Sequence, residues 1–239
     1  SSSSAASDVY KRQDKWTSVK GEPHIIKRLH VGETYILREE FAPYGYLKAE
    51  EVEFTITDTA EIQKVEMKDD VPIGRIIINK KGEFLSEVSW NDMVAGAMDS
   101  IWGYVTGSLK DVTFEIYARE DIKAADGESD DYYKKDELVA TIKTDELGIA
   151  RTDDLPLGKY YVVEKETADG FVLDGEPRDI DLTYRDQDTP VVTFDSEWQN
   201  SRQKAKVIVT KKEKDSDRVL EGAVFAMCNK EAVSYTHLR

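Results

Sequence analysis

Two stretches of the chain spell the same pattern, and that repetition constrains the fold more than any other feature. Gly32-Glu-Thr-Tyr-Ile-Leu-Arg-Glu-Glu-Phe-Ala-Pro-Tyr-Gly-Tyr46 answers Gly158-Lys-Tyr-Tyr-Val-Val-Glu-Lys-Glu-Thr-Ala-Asp-Gly-Phe171 with a one-residue gap near the glycine. Each reads Y-x-(L/V)-x-E, a short spacer, then Gly and an aromatic residue. Successive side chains of a strand point to opposite faces, so Tyr35, Leu37 and Glu39 share one face, as do Tyr160, Val162 and Glu164. A carboxylate therefore ends each apolar stripe. Burying it is costly unless it is protonated or paired, which makes Glu39 and Glu164 the least ordinary placements in the chain.

A second correspondence joins Gly74-Arg-Ile-Ile-Ile-Asn-Lys80 to Lys206-Val-Ile-Val-Thr-Lys211. Here a lysine ends the stripe: Ile76, Ile78 and Lys80 share a face, and so do Val207, Val209 and Lys211. Further strands follow at Leu109–Tyr117 and Leu220–Phe225. Before each restart comes a last strand, in which Trp198 and Asn200 share a face, as do Val65, Met67 and Asp69. Asn200 and Asp69 are thus equivalent positions. Strands are also expected at Leu138–Thr144, Ile149–Thr152, Phe171–Leu173, Asp179–Tyr184 and Pro190–Phe194, with Gly and Pro in the turns between them. One short helix is expected, over Trp90–Trp102, where Met93, Ala97 and Ile101 recur at helical spacing inside an insertion. Many short strands at regular spacing predict an all-β fold of tandem, Ig-like β-sandwich modules.

A repeat unit of this kind brings together a lysine, a glutamate and an asparagine in one apolar core, and that set permits a defined reaction. Burial disfavours both charged forms, so the amine can be a neutral nucleophile and the acid can carry a proton. The acid polarises the asparagine carbonyl and shuttles protons while the amine attacks and ammonia leaves. With aspartate in place of asparagine, water leaves. Such a reaction runs once per molecule, so the chain is its own substrate and not an enzyme.

These motifs resemble the Cna B-type (SpaA-like, prealbumin-like) domains of Gram-positive surface adhesins and pilins. The middle motif of that family, Y-x-L-x-E-x-x-A-P-x-G-Y, is matched by Tyr35, Leu37, Glu39, Ala42, Pro43, Gly45 and Tyr46. The second copy matches through Tyr160, Val162, Glu164, Gly170 and Phe171, with Thr167-Ala168 where Ala-Pro is usual, a departure expected to touch a turn and not the chemistry. The opening pattern, a strand ending in Lys and then L-x-G-A-x-F, fits Lys211 with Leu220, Gly222, Ala223 and Phe225, and more loosely Lys80 with Leu109, Val112 and Phe114. The resemblance implies an intramolecular isopeptide bond between Lys80 and Asn200 with Glu164 as proton shuttle. Glu39 is the equivalent glutamate of the preceding module, and Asp69 and Lys211 are partial-module equivalents. It implies residues 14–70 as the C-terminal part of one module, 71–203 as a complete module and 204–232 as the start of another. It further implies a structural stalk repeat on a cell-wall-anchored surface protein or pilin, extracellular, with neighbouring modules of the same chain as partners. The alternative is an adhesin module that binds a host extracellular matrix protein or a glycan through the insertion Phe84–Gly107 or the loop Ala118–Lys135.

Both ends read differently. Asp8–Gln13 and Val233–Leu238 resemble translations of the two strands of a transposon end used in preparing sequencing libraries, so residues 1–13 and 233–239 are expected to be artefactual.

Plainer readings stand beside these. Glu164 could be an edge-strand carboxylate reaching solvent, Lys81 replaces Lys80 if the strand is bulged, and Asn200 could cap a turn. A net charge of −15, from 48 acidic and 33 basic residues, argues against nucleic acid or an anionic membrane surface as partner. No apolar run approaches the roughly 20 residues that span a bilayer. His24 and His30 have no ligand-spaced partners, and the acidic loop Asp126–Asp131 lacks the closing glutamate of a helix-loop-helix calcium site, so neither a metal nor a cofactor is expected. Cys228 stands alone, which excludes a disulfide framework within the chain.

Overall fold

The computed structural model describes residues 14–86, 89–90, 100–101 and 104–225. Its regular elements are all strands. A hairpin comes first, β1 (Thr34–Leu37) against β2 (Val52–Thr55), in antiparallel register with Tyr35 opposite Phe54. Then comes the long β3 (Ile73–Leu85), a short antiparallel pair β4 (Ser89–Trp90) and β5 (Ser100–Ile101), and β6 (Tyr104–Ser108). The rest of the chain supplies β7 (Thr113–Ala118), β8 (Leu138–Lys143), β9 (Ile149–Arg151), β10 (Leu155–Pro156), β11 (Gly158–Glu166), β12 (Arg178–Leu182) and β13 (Val191–Asn200).

Two sheets result. One is centred on β3, which pairs with β13 on one side and with β6, β9 and β10 on the other; the second runs β12-β11-β7-β8. The central strands turn alternate residues inward and bury Ile76 and Ile78 from β3, Phe114 and Ile116 from β7, Tyr160 and Val162 from β11, Ile180 and Leu182 from β12, and Val192 and Trp198 from β13. These side chains form one cluster between the sheets, so the sandwich expected from the strand pattern is the fold observed. The β3–β13 pair is parallel and runs without a slip from Val191 opposite Ile73 to Asn200 opposite Gly82. An unbulged β3 keeps Lys80 inward and buried and Lys81 on the other face.

Several expectations fail here. Val65–Asp69, Phe171–Leu173, Lys206–Lys211 and Leu220–Phe225 are not strands; Phe171 makes one bridge, to Arg202, and Lys212 one, to Val219. Strands need a neighbour to accept and donate their backbone hydrogen bonds, and no neighbouring ladder reaches these segments among the described residues. Val207, Ile208 and Val209 accordingly lie exposed. The helix expected over Trp90–Trp102 falls largely on 91–99 and 102, outside the described residues, and its flanks pair as β4 and β5. Cys228 and both terminal segments also lie outside them.

Candidate functional site

Among the buried polar side chains, three come from separate strands and meet: Lys80 from β3, Glu164 from β11 and Asn200 from β13, each no more than 3% exposed. Their position follows from strand periodicity. Lys80 continues the stripe of Ile76 and Ile78, Glu164 that of Tyr160 and Val162, and Asn200 that of Trp198. Lys80 Nζ donates to Glu164 Oε2 at 2.6 Å, and Asn200 Nδ2 donates to Glu164 Oε1 at 2.5 Å. The carboxyl group therefore bridges amine and amide. The Lys80 backbone is fixed as firmly as its side chain, because its N–H donates to Gly148 O and its carbonyl accepts from Leu109 N.

Aromatic walls complete the chamber. Lys80 Nζ sits 5.6 Å from the centroid of the Phe114 ring, which meets Trp198 edge-on at 5.6 Å. Behind Trp198, the Arg178 guanidinium stacks on the indole at 4.5 Å and pairs with Asp174. Burial, the largest influence, lowers the Lys80 pKa; the hydrogen bond and charge of Glu164 oppose this, and the Arg178 charge adds to the lowering. Burial alone would raise Asp174, but the hydrogen bond and charge of Arg178 outweigh it and hold that carboxyl below its ordinary range.

Sequence reasoning missed one participant. Asn200 Nδ2 also donates to Thr167 Oγ1 at 2.8 Å, so the departure from Ala-Pro at Thr167-Ala168 reaches the site and not the turn alone. The cause is a β-bulge: the β11–β7 register slips between Glu164 and Glu166. Lys165 and Glu166 both face solvent, and the chain turns inward again at Thr167. The only signal in the sequence is that departure itself. Arg178 and Asp174 carry no motif and were not legible either. Asn200 Oδ1 is left buried without a hydrogen-bond partner.

The residues expected to be their equivalents are arranged less completely. Glu39 and Asp69 come together, both half-buried, although Glu39 lies beyond the end of β1. Burial, and then the charge and hydrogen bond of Glu39, raise the Asp69 pKa. Glu39 Oε2 also accepts from Ala49 N at 2.8 Å. Lys211 is exposed, with its carbonyl bonded to Leu220 N. Among the described residues no three His, Cys, Asp or Glu side chains converge as metal ligands, and no helix is long and apolar enough to cross a membrane. In the acidic loop, the Asp126 carboxylate accepts from Glu128 N, Ser129 N and Ser129 Oγ, and these bonds, that of the Ser129 hydroxyl foremost, lower its pKa to about 2.

The segment 40–48 packs on the end of the sandwich. Gln187 Oε1 accepts from Ala42 N, Gln187 O accepts from Lys48 N, and Tyr184 donates to Tyr46 O while meeting the Tyr44 ring edge-on at 4.8 Å.

Comparison with known proteins gives these residues a context. No curated protein matches the chain. Among solved structures, the TIE protein of Bacillus anthracis is 20% identical over 71% of this chain and 25% of its own, with a TM-score of 0.43. GBS52, the minor pilin of Streptococcus agalactiae, is 13% identical over 78% of this chain and 66% of its own, with a TM-score of 0.36. The major pilin SpaA of Corynebacterium diphtheriae, described as pointing to a modular pilus assembly with stabilising isopeptide bonds, is 18% identical over 54% of this chain and 31% of its own, with a TM-score of 0.34. The chain thus spans between 25% and 66% of the length of these three proteins. The family model for the SpaA prealbumin-like fold domain matches residues 4–71 and 104–198, more than half of the sequence. Lys80 and Asn200 lie outside both matched spans, so geometry carries them. On the extent of that match, the chain belongs to the family of SpaA prealbumin-like fold domains.

Proposed function

We propose that the chain is part of a load-bearing stalk of a Gram-positive surface protein or pilus, and that residues 71–203 form a module closed by an amide between Lys80 and Asn200. Family membership supports the stalk; the observation that carries the bond is the buried contact of Lys80, Glu164 and Asn200 in an aromatic-walled chamber. At 2.6 Å the Lys80 ammonium can pass a proton to Glu164, leaving a neutral amine beside a neutral acid, the pair a low-dielectric chamber favours. The amine adds to Asn200 Cγ, a C–N bond forms, and the bond from Cγ to Nδ2 breaks. Nδ2 keeps its two hydrogens and takes a third, given up by the amine and relayed by Glu164, so one ammonia leaves. No further turnover follows, because the product is the protein itself. Residues 14–70 and 204–232 are read as parts of the adjoining modules, with Glu39, Asp69 and Lys211 in the corresponding roles. The parent protein is placed outside the cell, attached to its wall.

Intact-mass measurement of the full chain tests the bond. A mass lower by one ammonia, with a cross-linked peptide joining Lys80 to Asn200 and full mass restored by Glu164→Ala, is the expected result. An unreduced mass for the wild-type chain sinks the reading.

A further inference from the structure

The amide of Asn200 is held at one end only. Nδ2 donates to Glu164 Oε1 and Thr167 Oγ1, while Oδ1 is buried without a donor. A half-turn about the last side-chain bond exchanges the two ends and puts Oδ1 against the same two groups. A hydroxyl serves either orientation, because it accepts from an N–H and donates to a carbonyl; a carboxyl group donates only when it carries a proton. Once Lys80 has protonated Glu164, both neighbours can donate to Oδ1.

We propose that Thr167 is a catalytic residue of the bond-forming site: its hydroxyl and the protonated Glu164 form a two-donor pocket for the negative charge that develops on Asn200 Oδ1 as the Lys80 amine adds. This rests on the isopeptide reading of the site. The charge on Oδ1 collapses as the bond from Cγ to Nδ2 breaks and ammonia departs, so Thr167 gains and loses no atom. Donors already in place where charge appears stabilise a transition state more than the ground state.

Two independent features place the hydroxyl there. The bulge after Glu164 turns Thr167, which an unbroken alternation would point outward, back toward Asn200. The chain also holds its own contrast. Three residues after Glu39 stands Ala42, whose methyl donates nothing, and the partner of Glu39 is the acid Asp69. Glu39 stands close enough to Asp69 to add, after burial, to the raising of its pKa. Threonine accompanies the amide, alanine the acid.

The test is cell-free synthesis of the full chain, with samples quenched over time and the ammonia loss followed by intact mass. Thr167→Ser is expected to react at a rate close to wild type, and Thr167→Val and Thr167→Ala about 10²–10³-fold more slowly, the usual effect of deleting one such donor. Unfolding midpoints of Thr167→Ser and Thr167→Val in a Glu164→Ala background, where no bond forms, separate a slow reaction from a failure to fold. If the wild type loses ammonia and Thr167→Val keeps pace with it, the role of Thr167 is overturned and the bond stands. If Thr167→Ser is as slow as Thr167→Val, the hydroxyl is not the active feature and the proposal falls. If the wild type never loses ammonia, the bond reading falls and this proposal falls with it.

Discussion

Trp198 lies directly opposite Lys80 in the parallel register of β3 and β13, which puts Asn200 one inward position further on and opposite Gly82. Lys80 and Asn200 are therefore offset by one inward step on neighbouring strands, and the Glu164 carboxyl group spans the gap between them. Gly82 leaves room for Phe171, whose ring would lie 2.5 Å from any added Cβ.

The Lys80–Glu164 pair is an interdependent one. In an Asn200→Ala chain, where the proposed amide cannot form, adding Glu164→Ala leaves the buried Lys80 side chain without its partner. The cost expected for breaking such a pair is about 3–5 kcal/mol. Urea unfolding of the single and double variants measures it, and equal midpoints would contradict the pairing.

Stability of the same Asn200→Ala chain is expected to rise with pH on the alkaline side. Burial lowers the Lys80 pKa from its ordinary 10.5. Below the lowered value both states carry the proton and the burial penalty is present in full. Between that value and 10.5 the unfolded chain binds a proton the native one lacks, so stability climbs, by at most about 1.4 kcal/mol per pH unit. Above 10.5 it levels off. Urea midpoints across this range, compared with a chain that also carries Lys80→Met, give the slope; an identical slope in both would refute it.

Gly148→Ala should be damaging at a distance from the reacting atoms. Gly148 has φ of 74°, and an added Cβ would fall 2.5 Å from the carbonyl oxygen of Lys80. A loss of more than about 1 kcal/mol is expected from strain and displacement together. Thermal unfolding checks it, and a slower ammonia loss should accompany it.

Gln187→Ala should remove the side-chain contacts to Glu40 and Ala42 and leave the neighbouring backbone contact. The side chain of Gln187 accepts from Ala42 N at 2.9 Å, whereas its backbone carbonyl accepts from Lys48 N at 2.9 Å. Hydrogen exchange is expected to speed up at Ala42 and stay unchanged at Lys48. Unaltered exchange at Ala42 would show that the side-chain contact does not hold that segment.

The sandwich and its bridging glutamate were legible because two signals repeat in the chain and both obey strand periodicity. Lys80, Glu164 and Asn200 each end an inward stripe, and counting by twos places them. Thr167 breaks that count, since a bulge cannot be read from alternation. Arg178 was equally hidden: its partner Trp198 belongs to the opposite sheet, and nothing local marks the stacking. Lys206–Lys211 shows the converse error, a strand-like pattern that finds no partner strand among the described residues.

The parallel pairing of β3 and β13 also sets how the fold answers a pull. The incoming chain enters β3 at Ile73 and the outgoing chain leaves β13 at Asn200, at opposite ends of one shared ladder of ten residue pairs. Tension between neighbours along a stalk would slide the two strands past each other and strain all ten pairs together, where an antiparallel pair pulled from one end opens a rung at a time. An amide at Lys80–Asn200 would shorten that path further. Force would pass from Ile73–Lys80 straight across to Asn200, leaving everything between 81 and 199 slack.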